Sequence, residues 1–201
     1  MYNILLVGVG GQGVLTMFKI LGNAAQLQNL QVNGAETHGM SQRGGSVYVH
    51  LRFNDEPVFS PLIMEGEADL LVSLEPVETL RFAPFVKKNG VIITSKNPVD
   101  PPNLPLTKKK YPDVEKIVEK LQDYTPNIIA IDYKLVLGEL GLRSLNIAAL
   151  GTMSNLHDFP ITKENLAREI KSKLKRFWEE ANQAFELGFS NSNNENFIQV
   201  Q

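Results

Sequence analysis

The stretch NILLVGVGGQGV, Asn3 to Val14, constrains the chain most: an unbroken apolar run closes in four glycines within six residues, Gly8, Gly10, Gly11 and Gly13. A run without polar alternation suits a strand buried on both faces, as in sheets flanked by helices. The following VLTMFKILGNAAQLQ repeats its apolar residues at helical spacing. The opening therefore reads as strand, tight glycine loop, helix.

Further strands are expected at NLQVNGAE, ADLLVSLE, GVIITSK and NIIAID. In SVYVHLRF the alternation sets Val47, Val49, Leu51 and Phe53 on one face and Tyr48, His50 and Arg52 on the other, a solvated or interfacial one. Helices are expected over PVETLRFAPFVKK, interrupted by Pro84, over DVEKIVEKLQDY and over SLNIAALGTMSNL. A last helix starts at Thr162, a good N-cap, and runs to about Gly188 with Leu166, Ile170, Leu174, Phe177, Ala181 and Phe185 as its apolar stripe. The Pro-rich stretch from Asn97 to Lys110 reads as a loop. Strands alternating with helices predict an α/β fold: a mostly parallel, Rossmann-like three-layer sheet with an antiparallel hairpin and a long C-terminal helix. With 201 residues, one domain over 1–189 is expected, and the polar SNSNNENFIQVQ reads as a flexible tail over 190–201.

A net charge of −2 gives no field for neutralising phosphates along a nucleic acid. With no cysteine, the chain holds no iron–sulfur cluster by thiolate ligation, no disulfide and no thiol nucleophile. Its N-terminus shows no basic leader, and its apolar run is far short of the ~20 residues of a membrane-spanning helix. The sequence reads as that of a cytoplasmic protein with no membrane partner.

Gly8, Gly10 and Gly13 satisfy G-x-G-x-x-G between a strand and a helix, the context of a dinucleotide fingerprint. That fingerprint also needs an acid at the end of the second strand to hold the ribose. Asn33 stands there, and the nearest acid, Glu36, lies beyond it. What survives is a backbone that lets a ligand or neighbouring chain approach, with a helix N-terminus behind it that favours an anion. Gln12, a neutral amide, either reads a polar group or sits exposed on a turn.

A second polar loop, ETHGMSQRGG, follows the next strand, and in a parallel sheet both loops emerge at the same carboxyl edge. GVGGQGV, followed at this distance by HGMSQRGG and later by RSLNIAALG and NQAFELG, resembles the gamma-type domain of the 2-oxoacid:ferredoxin oxidoreductases, from Met1 to about Phe189. The resemblance implies a subunit of a heteromeric enzyme that oxidatively decarboxylates arylpyruvates such as indolepyruvate with coenzyme A, yielding an acyl-CoA, carbon dioxide and reduced ferredoxin. Thiamine diphosphate, Mg and the 4Fe-4S clusters are then expected on the larger partner subunit. By the same resemblance Gly8, Gly10, Gly11, Gln12 and Gly13 form one loop, and Glu36, His38, Gly39, Ser41, Gln42, Arg43, Gly44 and Gly45 the other. Together they face the approach of coenzyme A and substrate, or dock the partner.

Arg43 can grip phosphate or carboxylate in a fork, or bond loop carbonyls. His38 is the candidate for proton transfer. Asn146 either orients the glycine loop or packs its helix, and His157 reads as a loop residue. Lys108, Lys109 and Lys110 either attract an anionic partner or are solvated. Two rival readings stay open: a stand-alone NAD(P)- or FAD-binding Rossmann-like module, and a purely structural assembly subunit.

Overall fold

The structure, a computed structural model, describes residues 1–38, 45–100 and 110–191. Among these residues six strands form one sheet in the order β2-β3-β1-β4-β5-β6. They are β1 (Tyr2–Val9), β2 (Gln31–His38), β3 (Ser46–Asn54), β4 (Ala68–Ser73), β5 (Val86–Ser95) and β6 (Asn127–Ile131). β1, β4, β5 and β6 pair in parallel. β3 alone runs the other way, antiparallel to both β1 and β2, which gives the expected hairpin.

Seven α-helices accompany the sheet among the described residues: α1 (Val14–Gln26), α2 (Pro76–Phe82), α3 (Val114–Leu121), α4 (Tyr133–Leu137), α5 (Leu145–Ser154), α6 (Lys163–Lys173) and α7 (Trp178–Asn191). On one face Ile4, Leu6, Val49, Leu51, Leu70 and Val72 pack with residues of α1, α5, α6 and α7. On the other, Leu5, Val7, Leu71, Ile92 and Ile128 pack with Phe82 of α2 and Val118 and Leu121 of α3. Alternate residues of β1 therefore serve two cores, the reason its apolar run has no polar phase. Each such side chain, fully buried, contributes about 2 kcal/mol.

Three expectations need correction. Val86, Lys87 and Lys88, expected in a helix, open β5: Pro84 ends the helical run, and Val86 pairs instead with Ala68. The stretch from Thr162 begins as expected, with Thr162 Oγ1 accepting from Asn165 N at 3.3 Å, but it breaks at Leu174 (φ −114°, ψ 38°) into α6 and α7. α6 lies mainly on α1, while α7 lies mainly on α5. Phe177, expected on the buried stripe, falls in the break and is 62% exposed. Finally, the polar face of β3 is covered: His50 is 6% exposed, and Arg52 is half-buried. The segment from Asp55 to Glu67 lies over them without regular structure.

α5 is apolar all round and buried from Leu145 to Met153. It meets α7 at two glycines: a Cβ on Gly151 would stand 2.0 Å from Phe185 O, and one on Gly188 1.9 Å from Ala148 O. No helix among the described residues is long and apolar enough to cross a membrane. Of the expected tail, Ser190 and Asn191 close α7, and residues 192–201 lie outside the described residues.

Candidate functional site

The glycine loop joins the end of β1 to α1 at the carboxyl edge of the sheet. Gly11 (φ 101°) and Gly13 (φ 85°) take left-handed backbone, which other residues adopt only with strain. Inside this turn Gln12 folds inward. Its N–H donates to Val9 O at 3.1 Å, and its Oε1 accepts from Val9 N at 2.9 Å. Its Nε2 donates to Leu74 O, just past β4, at 2.8 Å. The amide thus ties β1 to β4 where the order of crossovers reverses, the crevice in which doubly wound sheets hold ligands. Gly8 leaves room for it, since a Cβ there would come within 2.8 Å of Gln12 Oε1. The group offered by the sequence as a ligand reader is spent on the fold, and the loop presents backbone outward.

Asn146, in the first turn of α5, fixes the other side of the loop. It is 8% exposed, and its Nδ2 donates to Gly13 O at 3.4 Å. A Cβ on Gly13 would lie 2.4 Å from that nitrogen. Of its two expected roles, the structure gives it both: it touches the glycine loop from within a buried helix.

The second loop meets the first through backbone: Gly10 N donates to Gly45 O at 2.9 Å. They share an edge because β3 runs antiparallel between β1 and β2, so that β1 and β2 point the same way. Contrary to expectation, exposed Glu36 lies within β2 near its end, and Asn33 is only the third residue of that strand. Gly39, Ser41, Gln42, Arg43, Gly44 and the side chain of His38 lie outside the described residues, as do Lys108 and Lys109. A cavity of about 290 Å³ opens at the junction, lined by Val9, Gly10, Gly11, Gly13, Leu15 and Val47. Larger clefts are also present among the described residues. One of about 380 Å³ lies beside Thr16, Asn146 and Phe177, and one of about 570 Å³ beside Asp132 and Leu135.

Two buried carboxylates at the same edge escaped the sequence reading. Glu75 (2% exposed) caps α2, its Oε2 accepting from Glu78 N at 2.9 Å. Its Oε1 accepts the Tyr111 hydroxyl, and burial, that hydrogen bond and the Glu75 charge hold the Tyr111 phenol well above its ordinary pKa. Tyr111 therefore remains a donor. Glu78 accepts from Ser46 Oγ at 2.6 Å and pairs with Arg81 at 3.3 Å, so the first residue of β3 is tied to α2. The signal was present in LEPVE: an acid, a proline at the first helical position and a second acid three residues on.

Asp132 closes β6. Burial opposes its charge, but hydrogen bonds from Asn97 and from the Leu135 and Lys134 amides, with nearby Lys96, outweigh burial and lower its pKa. On β3, His50 Nδ1 accepts from Ile63 N at 3.2 Å, and burial lowers its pKa. His157 stands exposed on a turn, paired with Asp158 at 2.8 Å. Among the described residues no group of three or more His, Asp or Glu side chains is placed to hold a metal ion. Without cysteine, thiolate-bound iron–sulfur clusters do not fit this chain.

The family model for pyruvate ferredoxin/flavodoxin oxidoreductase matches residues 3–191. The indolepyruvate oxidoreductase subunit IorB of Archaeoglobus fulgidus is 39% identical over 174 residues, 86% of each chain. That of Thermococcus kodakarensis is 36% identical over 192 residues, 93% of this chain and 94% of the relative. Among solved structures, the gamma subunit of a keto/oxoacid ferredoxin oxidoreductase from Geobacter sulfurreducens shares the fold with TM-score 0.69 and 22% identity, covering 96% of this chain and 98% of that one. The 2-oxoglutarate:ferredoxin oxidoreductase of Magnetococcus marinus, solved with 2-oxoglutarate, coenzyme A and succinyl-CoA bound, aligns with TM-score 0.74 and 17% identity over 95% of this chain and 31% of that longer one. With a match that spans nearly all of its length, the chain belongs to the pyruvate ferredoxin/flavodoxin oxidoreductase family.

Proposed function

We propose that this chain is the small subunit of a 2-oxoacid:ferredoxin oxidoreductase acting on indolepyruvate or a related arylpyruvate. Thiamine diphosphate, its Mg and the 4Fe-4S clusters then belong to the larger subunit, which carries out decarboxylation and passes electrons to ferredoxin. This chain contributes the two-loop edge, which lines the approach of coenzyme A and substrate or docks the partner there. The observation that supports this role is the Gly10 to Gly45 backbone bond, which holds the start of β3 against the glycine loop. Similarity to the IorB subunits carries the substrate assignment.

The chain's own residues act by binding and positioning. The outward backbone of the glycine loop and the N-terminus of α1, which has no side-chain cap and no acid in its first turn, favour an anionic group. Arg43 grips a phosphate of coenzyme A or the substrate carboxylate, and Ser41, Gln42, Gly44 and Gly45 complete the edge. The cavity of about 290 Å³ at the junction is where such a group would enter.

The stand-alone dinucleotide reading is disfavoured by topology. The ribose acid of that motif ends a strand adjacent to β1, roughly 4.8 Å away. Here antiparallel β3 takes that place, and Gln12 bridges the crevice. Titration of the isolated chain with NADPH and with FAD tests this: neither binds, whereas stoichiometric binding of either would sink the proposal. In the assembled enzyme, Arg43→Ala raises KM for coenzyme A while the complex persists. Loss of the complex instead would assign Arg43 to docking and favour the purely structural role.

A further inference from the structure

We propose that the segment from Asp55 to Glu67, which joins β3 to β4, is a docking surface whose occupant is an apolar groove rimmed by Lys or Arg on the larger subunit. The inference rests on the reading of this chain as a subunit.

The segment exposes large apolar side chains on a rigid support. Phe59 is 92% exposed, and Leu62 and Met64 are also exposed, as is Met1 beside them. A mobile loop would show such groups without consequence, but this one is fastened from beneath along its length. Asn33 Nδ2 donates to Val58 O at 2.8 Å. Arg52 donates to Ser60 O at 2.9 Å and Leu62 O at 3.2 Å, and its other terminal nitrogen lies 2.8 Å from Met1 Sδ. Ile63, buried, donates its N–H to His50, and Gly66 N donates to Pro84 O at 2.9 Å. A preorganised aromatic costs little entropy to bind and is the usual anchor of an interface.

Charge selects the occupant. Asp55, Glu56, Glu65 and Glu67 are all exposed and bracket the apolar residues, and the stretch from Asn54 to Ala68 holds no Lys or Arg. A second copy docked about a two-fold axis would set these four acids against their like, and an acidic electron carrier would be repelled. A groove with a basic rim satisfies both the apolar centre and the acidic flanks. The surface is also separate from the two-loop edge: its anchors His50 and Arg52 pair across the sheet with Leu5 and Asn3, whereas the loops sit at the Val9 end of β1.

The test measures the affinity of the full-length chain for the purified large subunit of the proposed enzyme. Two variants are used, Phe59→Asp/Leu62→Asp and Glu56→Lys/Glu65→Lys, each with its melting temperature. Both are expected to fold and to bind at least tenfold more weakly, the charge variant losing its deficit at high salt. Wild-type binding that neither variant weakens would overturn the inference alone. So would loss of self-association with the heteromer intact, which would give the surface to a second copy. Absence of any wild-type complex would overturn the subunit reading and this inference together.

Discussion

At the residue scale, the candidate site is shaped by Gln12 beside Gly8 and by Asn146 beside Gly13. Gln12 closes two bonds with Val9 and one with Leu74. Gln12→Leu keeps the volume and strands a donor on β1 and an acceptor past β4, each worth about 1 kcal/mol or more. A loss of about 2 kcal/mol, seen as a fall of roughly 4–8 °C in melting temperature, is expected by calorimetry. Gly13 carries two separable penalties: its φ of 85°, and the 2.4 Å approach of a Cβ to Asn146 Nδ2. Gly13→Ala therefore costs more in the wild type than in an Asn146→Ala background, by about 1 kcal/mol, the residue left in both being strain. Additive effects would mean that the contact is not felt. The glycines were legible in the sequence because spacing between a strand and a helix is a local pattern. The direction of Gln12 was not, because an amide inside a glycine turn has the same sequence whether it faces solvent or a neighbouring strand 62 residues away.

At the element scale, the crossing of α5 and α7 sets where Asn146 stands. Gly188→Ala drives a methyl into Ala148 O and should cost about 3 kcal/mol, while Gly22→Ala in α1 meets nothing nearer than 4.0 Å and should gain up to about 1 kcal/mol in helix propensity. Denaturant midpoints compare the two. On β3, the covering segment makes stability depend on pH. Burial keeps the folded pKa of His50 below its unfolded value of about 6.5. Below that pH the unfolded chain binds more protons, so stability falls as pH drops, by at most about 1.4 kcal/mol per unit, until the folded pKa is passed. The same titration with His50→Gln removes that component, measured as the difference between two stability profiles. Strands and most helices were readable from period alone. The covering of His50 and Arg52 was not, since an alternating strand names a polar face without saying what lies on it. The break at Leu174 was hidden for a similar reason: Leu174 and Phe177 keep helical spacing across it, and spacing does not show that α6 packs on α1 while α7 packs on α5.

At the scale of the molecule, the strand order decides between readings that the motif leaves open. G-x-G-x-x-G was compatible with a dinucleotide, and an acid is not missing: Glu36, expected beyond the second strand, lies within β2 near its end, so what speaks against a dinucleotide is the strand order. The insertion of β3 between β1 and β2 supplies the reason in three dimensions, and pairing order is the property that a single sequence encodes least. The absence of cysteine excludes thiolate-bound clusters from this chain, in keeping with the proposed division in which it supplies an edge and redox groups sit on a partner. That claim is met most directly by coenzyme A-dependent reduction of ferredoxin with indolepyruvate, measured for the large chain alone, this chain alone and the two together. The account predicts turnover only for the pair. An undiminished rate from the large chain by itself would contradict it.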